Sequence, residues 1–302
     1  MTFKFILRLC IVASFSAGVS LTPVHAALQM YGSAFDNSPP PGTQNLSTLY
    51  VIDPGTGATT SIGTGMGFQL VGGMSFAPNG TLYGIGRDPG TLTTDLITIN
   101  TTTGVGTLVG SLGLSGTTIH DISFRSDGTL FALGGFGGTV YTVNTTTGLA
   151  TALPSTVGTP QEGGGLAFVG NTLYAAGYNT MLTINQATGA GTAVTFPVGG
   201  SPILQYPGDL SKSPNITGMD YVNGTLYAVV QADSSNSLSP AYLATVDLTT
   251  GVVTEVGGPF TVDGLTALAA IPEPSTYGVL AGVTLLGIGM VSASRRRKAS
   301  AV

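Results

Sequence analysis

The chain has 302 residues, of which 42 % are hydrophobic and only 8 % are charged. Between residues 27 and 270 the only basic residues are Arg87, Arg125 and Lys212, whereas 13 of the 14 acidic residues lie there. Nucleic-acid binding needs clustered Lys and Arg to displace counterions from phosphate groups, so this composition excludes a nucleic-acid partner. Cys10 is the single cysteine, which excludes disulfides, haem attached through a Cys-x-x-Cys-His motif and iron–sulfur clusters.

The first 26 residues have the pattern of a secretory signal peptide. Lys4 and Arg8 accompany an apolar run that continues to about residue 19. Val24-His25-Ala26 then resembles a small-residue cleavage site. We expect cleavage after Ala26, and the chain is therefore predicted to be exported.

A phrase of about a dozen residues recurs four times in the segment 27–270. Each copy combines a short alternating strand, a tight turn such as Asn-Gly or Asp-Gly, and an apolar-aromatic strand, which together predict a β-hairpin. The copies are Gly73–Ile85, Asp121–Leu133, Gly165–Ala175 and Gly218–Val229. Their spacing, about 43 to 53 residues, is typical of propellers, arrays and solenoids.

A second hairpin follows each copy of the phrase. In the first unit Leu96–Asn100 leads into Thr-Thr-Thr-Gly104, and the other units repeat an Asn or Asp, a short loop and a Gly. The Asn or Asp side chain can hydrogen-bond the backbone ahead of it, and the Gly supplies a positive φ for the return. Each unit is therefore predicted to contain four antiparallel strands.

The two ends of the segment 27–270 are incomplete units that complement each other. The N-terminal end supplies the last three strands of a unit, at Leu28–Gly32, Leu49–Asp53 and Ala58–Ile62. The missing first strand is expected at Asp263–Leu268. A blade built from both ends closes a ring and removes exposed sheet edges. The sequence thus predicts an all-β fold, a β-propeller of about five four-stranded blades closed by N- and C-terminal strands; an open β-sandwich or a solenoid is the alternative.

The residues at or just before the first strand of each unit form the candidate ligand site, because that strand lines the central channel of a propeller. Aligning the units places His120, Asp121 and Asp263 there, with Glu162 and Asp220 nearby. One His with carboxylates suits a hard or borderline cation, so a divalent cation is one hypothesis, and no other cofactor is predicted. The competing interpretation is that these side chains are solvated or capping residues of separate blades.

The last thirty residues contain three features in a fixed order. Pro272-Glu273-Pro274 comes first, and an uncharged apolar run follows at residues 277–293. A helix over this run would span roughly 26 Å, enough to cross a bilayer core. The basic cluster that comes next consists of Arg295, Arg296, Arg297 and Lys298. Basic residues stay on the cytoplasmic side, so the preceding chain is predicted to lie outside the membrane.

This tail resembles the PEP-CTERM sorting signal of Gram-negative bacteria. The resemblance implies transient anchoring in the inner membrane through residues 277–293, with the ectodomain in the periplasm. It also implies processing near Pro272-Glu273-Pro274 by an exosortase-type transpeptidase, and delivery to the cell surface or the extracellular space. Exopolysaccharide or biofilm production is the setting that the family suggests. An ordinary C-terminal membrane anchor is the alternative interpretation.

The sequence therefore predicts three parts: a signal peptide (1–26), a propeller-like repeat ectodomain (27–270) and a sorting signal (271–302). The first functional hypothesis is an exported, exosortase-processed protein of the cell surface or matrix that is not an enzyme. The second is a secreted lyase, lactonase or hydrolase with a metal-assisted site at the channel mouth, around His120, Asp121 and Asp263. No Gly-x-Ser-x-Gly or phosphate-loop motif is present to support an enzyme of those classes.

Overall fold

The computed structural model describes residues 28–35, 45–135, 137–158, 164–177, 180–196, 214–231 and 240–271. Within these residues there are twenty β-strands and no helix, and the strands form five antiparallel sheets of four. From the innermost strand to the outermost, blade 1 contains β20 (Leu265–Ala270), β1 (Met30–Ala34), β2 (Thr48–Ile52) and β3 (Thr59–Ile62).

The other four blades each use consecutive strands, again from the inside outwards. Blade 2 contains β4 (Gln69–Phe76), β5 (Leu82–Arg87), β6 (Thr94–Ile99) and β7 (Gly106–Ser111). Blade 3 contains β8 (Ile119–Phe124), β9 (Leu130–Gly134), β10 (Thr139–Val143) and β11 (Ala150–Thr156). Blade 4 contains β12 (Gly165–Val169), β13 (Thr172–Ala176), β14 (Met181–Ile184) and β15 (Gly191–Ala193). Blade 5 contains β16 (Asn215–Val222), β17 (Thr225–Gln231), β18 (Ala241–Val246) and β19 (Val253–Val256).

The five blades surround one axis as a closed β-propeller. Each innermost strand contacts the innermost strand of the next blade, and β16 of blade 5 contacts β20 of blade 1. Blade 1 joins the two ends of the described chain, because β1 and β20 pair with Met30 opposite Ala270. The predicted propeller, its five blades and its closure by both termini are confirmed, and an open sandwich or solenoid is excluded.

The apolar core consists of five clusters, one between each pair of consecutive blades. Between blades 2 and 3, for example, Ile85 and Leu96 pack with Ile122 and Leu130. Because both faces of a blade are covered in this way, every residue of β9 is buried, whereas the outermost strand β7 is largely exposed. The apolar runs of the inner strands and the Thr-rich outer strands follow from this gradient.

The predicted Asn-Thr-Thr-Thr-Gly turns join the third and fourth strands and also connect neighbouring blades. Asn100 Oδ1 accepts hydrogen bonds from Thr102 N (2.9 Å) and Thr103 N (3.0 Å), and Gly104 returns the chain with a φ of 73°. A Cβ on Gly104 would collide with the carbonyl oxygen of Ile62 in blade 1. The Gly is thus required twice, by the turn and by the neighbouring blade.

The up-and-down order of strands gives the ring two different faces. The tight hairpin turns and the Asn-Thr-Thr-Thr-Gly turns lie on one face, which we call the turn face. The connections between blades and the loops between second and third strands lie on the opposite face, the loop face. Met30 and Ala270 are paired where β1 begins and β20 ends, so both ends of the ring emerge on the turn face.

The ring runs from Leu28 to Ile271, whose N–H donates to the Gln29 carbonyl oxygen (3.0 Å). All five apolar clusters and both closing strands belong to this segment, so it contains a complete core and serves as the unit for the experiments below. The predicted signal peptide, Pro272-Glu273-Pro274, the apolar run 277–293 and the basic cluster lie outside the described residues. In the part of the chain that is described, no helix is long and apolar enough to span a membrane.

Candidate functional site

In the innermost strands, small polar side chains accept hydrogen bonds from backbone N–H groups that have no acceptor within their own sheet. Each has a partner on one side only within its sheet, so backbone N–H groups on the axis side need another acceptor. Ser75 Oγ accepts from Phe124 N (3.2 Å) of the next blade, and Ser123 Oγ accepts from Phe168 N (3.2 Å). These serines therefore tie one blade to the next across the axis side of the strands.

Asp121 accepts hydrogen bonds from such backbone N–H groups in three blades. Its side chain is 0 % exposed, with Oδ1 accepting from Ile122 N (2.9 Å) in its own blade 3. Oδ2 accepts from Leu166 N (2.8 Å) of blade 4 and from Met219 N (3.1 Å) of blade 5. Burial raises the pKa of Asp121 well above its usual range, while the three N–H donors act in the opposite direction. Both carboxylate oxygens accept hydrogen bonds from backbone N–H groups. Asp121 therefore connects blades of the ring and is not an available metal or substrate ligand.

Asp220 has the corresponding role at the closing blade. Its Oδ1 accepts from Tyr221 N (2.8 Å), and its Oδ2 accepts from Ala270 N (2.7 Å) on the closing strand β20. Burial raises the pKa of Asp220 to about 7, and the two N–H donors lower it. The sequence placed Asp220 near the candidate site but gave no sign that it joins blade 5 to blade 1.

His120 lies at the loop-face end of β8 and spans two blades. Its Nδ1 accepts from Gly164 N (3.1 Å) of blade 4, which places the proton of the neutral ring on Nε2. The imidazole lies over Gly135 of its own blade, where a Cβ would collide with the ring. His120 is therefore positioned by a hydrogen bond to blade 4 and by packing against Gly135 within blade 3.

Asp263 does not join His120 and Asp121, because the first strand of blade 1 lies three residues further along the chain than the alignment of the units predicts. The pairing of β8 is interrupted by a bulge at His120, and the equivalent bulge in β20 falls at Thr266. Asp263 is exposed, in the turn before β20, and Gly264 there has a φ of 68° and approaches the Phe35 carbonyl oxygen. Asp263 and Gly264 thus belong to a turn, not to the first strand of the blade.

The innermost strands of adjacent blades approach each other too closely at the level of Asp121 to admit side chains between them. A Cβ on Gly73 would lie 2.7 Å from Asp121 Cα, and a Cβ on Gly218 would lie 2.6 Å from the Thr266 carbonyl oxygen. Among the described residues, no group of three His, Cys, Asp or Glu side chains is arranged to hold a metal ion. His120, Asp121 and Asp263 therefore do not form the predicted cation site, and Glu162 lies outside the described residues.

An open concave surface lies elsewhere, on the loop face between blades 2 and 3. A cleft of about 520 Å³ is lined there by Arg87, by Leu70 and Leu92, and by several threonines. We call it the Arg87 cleft. The repeat pattern does not indicate this cleft, although Asp88-Pro-Gly-Thr-Leu92 between β5 and β6 differs in its last residue from Asp53-Pro-Gly-Thr-Gly57 between β2 and β3.

No family model matches this sequence, and no curated protein matches it either. Among solved structures, one chain of a nidogen/laminin complex superposes with a TM-score of 0.51 and 9 % identity, covering 80 % of this chain and 98 % of that one. A protein of unknown function from Bacteroides caccae has a TM-score of 0.47, 11 % identity and coverages of 80 % and 98 %. Myxococcus xanthus glutaminyl cyclase has a TM-score of 0.43, 17 % identity and coverages of 67 % and 74 %. At 9 % identity, the similarity to the chain of the nidogen/laminin complex shows the fold alone. The fold class of this chain is the β-propeller.

Proposed function

We propose that this chain is an exported propeller, not an enzyme, that an exosortase-type transpeptidase processes and delivers to the cell surface or extracellular matrix. The observation that carries the proposal is the order of Pro272-Glu273-Pro274, an apolar run at 277–293 and a basic cluster at 295–298. The signal-peptide pattern of residues 1–26 supports the same topology, since it directs the following chain out of the cytoplasm.

The way the ring ends supports processing at this place. The last backbone hydrogen bond of the ring is donated by Ile271 to Gln29, and the next residue, Pro272, has no N–H to donate. Cleavage within Pro272-Glu273-Pro274 would therefore keep the described hydrogen bonds that close blade 1. A tether at this point would hold the ring by its turn face and leave the loop face directed away from the membrane.

The chemistry of the ring also favours a structural or binding role. The carboxylates of Asp121, which is buried, and of Asp220, which is partly buried, accept hydrogen bonds from backbone N–H groups of the inner strands. The outer strands and turns expose many Thr and Asn side chains and few charges. Such a hydrated surface, whose few charges are mostly acidic, suits a soluble matrix component in contact with exopolysaccharide.

The competing hypothesis, a lyase, lactonase or hydrolase with a metal-assisted site, would have to hold its metal at His120 without Asp121, whose carboxylate oxygens both accept backbone hydrogen bonds. Asp121→Ala would be a poor test of it, because that change removes the acceptor of three backbone donors and weakens the ring itself. Metal analysis of the purified ring together with His120→Gln is the better test. Stoichiometric metal that His120→Gln abolishes would favour the enzyme over our proposal.

The sorting proposal is tested by changing Pro272, Glu273 and Pro274 to alanine in a host that has an exosortase. We expect the variant to accumulate uncleaved in the inner-membrane fraction. The matched control changes the proline triplet at 39–41 to alanine, which alters a different Pro-rich segment and should leave maturation unchanged. Normal maturation of the Pro272–Pro274 variant would refute the proposal.

A further inference from the structure

The Arg87 cleft is formed by four segments of the loop face, of which the first is β4 at Leu70. Arg87 ends β5, the loop 88–93 leads from β5 to β6, and the connection 112–118 leads from blade 2 to blade 3. The floor is apolar, since the buried Ile85 and Ile119 line it. Its volume, about 520 Å³, is within the range of pockets that bind small molecules.

Leu92 occupies a backbone position that normally requires glycine. The loop 88–93 repeats the loop 53–58: Asp88 Oδ1 accepts from Gly90 N and Thr91 N, both at 2.8 Å, as Asp53 Oδ1 does from the equivalent residues. The residue that returns the chain is Gly57 in one loop, with a φ of 70°, and Leu92 in the other, with a φ of 59°. A leucine is disfavoured in this conformation, and Leu92 is 55 % exposed, so neither backbone geometry nor burial accounts for it.

Leu70 presents the same combination on the other side of the cleft. It has a φ of 49° and is 43 % exposed, in the irregular part of β4 opposite Arg87. The remaining non-glycine residue with positive φ in the described chain is Asn223, whose Asn-Gly turn favours that conformation. The two leucines that are both strained and exposed thus line one cleft, where their side chains can contact a ligand.

Arg87 gives this apolar cleft a positive charge. No described residue forms an ion pair or hydrogen bond with its guanidinium, because the adjacent Asp88 turns its carboxylate into its own loop. Arg125, the other arginine of the described chain, is held by Asp127 at 2.7 Å. The described residues that line the cleft include no acid, but they do include hydroxyls such as those of Thr117 and Thr118.

The geometry points to a binding site for a small aliphatic carboxylate. The carboxylate would pair with the planar guanidinium of Arg87, which offers two parallel N–H donors. The aliphatic part would lie across Leu70 and Leu92 and remove them from water. This site goes beyond the proposed delivery to the cell surface and does not depend on it, and the loop face that carries it is opposite the ends of the ring.

The contribution of the Arg87 charge is tested by titrating the ring segment 27–271 with octanoate. Binding is measured by calorimetry or from amide chemical shifts. We expect saturable binding of octanoate, and Arg87→Gln should weaken it about 10- to 100-fold. The matched control is Arg125→Gln, which removes an arginine outside the cleft and should leave the affinity unchanged. Octanol, which has the same chain without the charge, should bind as weakly as octanoate binds to Arg87→Gln.

Two substitutions of Leu92 separate its side chain from its backbone strain. Leu92→Ala removes the side chain and keeps the strain, whereas Leu92→Gly removes both. We expect both variants to lose affinity for octanoate by severalfold, while only Leu92→Gly raises the thermal midpoint, by about 2–4 °C. Leu149→Ala, at a residue that is 56 % exposed outside the cleft, is the control for both.

The inference is overturned if octanoate shows no saturable binding, or if octanol binds equally well. It is also overturned if Arg87→Gln or both Leu92 variants keep the wild-type affinity. Should Arg87→Gln fail to fold, Arg87→Lys retains the charge but lacks the paired donors, and we expect it to weaken binding severalfold. Wild-type affinity in Arg87→Lys would then count against the paired geometry.

Discussion

Asp220 should make the ring more stable in mild acid than at neutral pH. Burial raises the pKa of Asp220 from its ordinary 3.8 to about 7 in the folded protein. The folded state therefore binds more protons than the unfolded state between these values, so this stabilisation is complete below pH 3.8 and is lost as the pH rises through about 7. At 1.36 kcal/mol per pKa unit the difference corresponds to about 4 kcal/mol. Because Asp220 retains some exposure, we expect about 2–4 kcal/mol.

Asp121 contributes with the same sign, because burial raises its pKa as well. Below pH 4 the trend should reverse. Hydrogen bonds in the exposed turns lower the pKa of Asp53, Asp88 and Asp247, so the stability that these carboxylates add is lost as the pH falls through their folded values. The free energy of unfolding should therefore have its maximum near pH 4, on the acid side of the range usual for proteins.

Urea unfolding of the segment 27–271 at pH 4, 6 and 8 measures this dependence. The chain has no Trp, so circular dichroism and tyrosine fluorescence are the appropriate signals. Asp220→Asn should flatten the slope between pH 4 and 8 and lower the stability at pH 4 by about 1–3 kcal/mol, since an amide N–H₂ would face a backbone N–H donor. Asp263→Asn, which makes the same substitution at an exposed residue outside the inner strands, is the matched control. A wild-type free energy of unfolding that is constant or rises from pH 4 to 8 would refute the reasoning.

Three further changes test the joints of the ring and the competing hypothesis. Gly104→Ala should destabilise the ring by at least about 2 kcal/mol, because it combines an unfavourable φ with a collision against blade 1. Gly80→Ala, where the space around the Cβ is open, should lower the stability by only about 1 kcal/mol. Equal losses in the two variants would contradict the contact between Gly104 and blade 1. Ser123→Ala should lower the free energy of unfolding by about 1–2 kcal/mol, since Phe168 N loses its acceptor, and the exposed Ser126→Ala should have no effect. His120→Gln should leave the metal content of the purified ring unchanged, and a stoichiometric metal lost in this variant would favour the enzyme.

The sequence was sufficient for the hairpins because their turn chemistry is local. Asn223-Gly224 takes two positive φ values and directs Thr225 back beside Val222, as an Asn-Gly turn between apolar strands predicts. Closure of the ring was also predictable, because Leu28–Gly32 lacked a first strand that only the other end of the chain could supply. These predictions depend on patterns that recur within each unit.

The candidate site was not predictable from the same patterns. A short match such as Asp263-Gly264 can fall on a turn as easily as on a strand, and the bulge at Thr266 that decides the register has no clear signal in the sequence. A carboxylate such as Asp121 has the same sequence pattern whether it binds a ligand or accepts hydrogen bonds from backbone N–H groups of two other blades. Only the approach of the innermost strands, with no room for side chains at Gly73, distinguishes the two.

The most direct test of the proposed sorting is the intact mass of the protein recovered from the surface or medium of a host that has an exosortase. We predict a chain that begins at Ala27 and lacks residues 277–302, and therefore ends close to Ile271, where the ring is complete. A recovered chain that still carries the apolar run and the basic cluster would contradict exosortase processing and identify the tail as an ordinary membrane anchor.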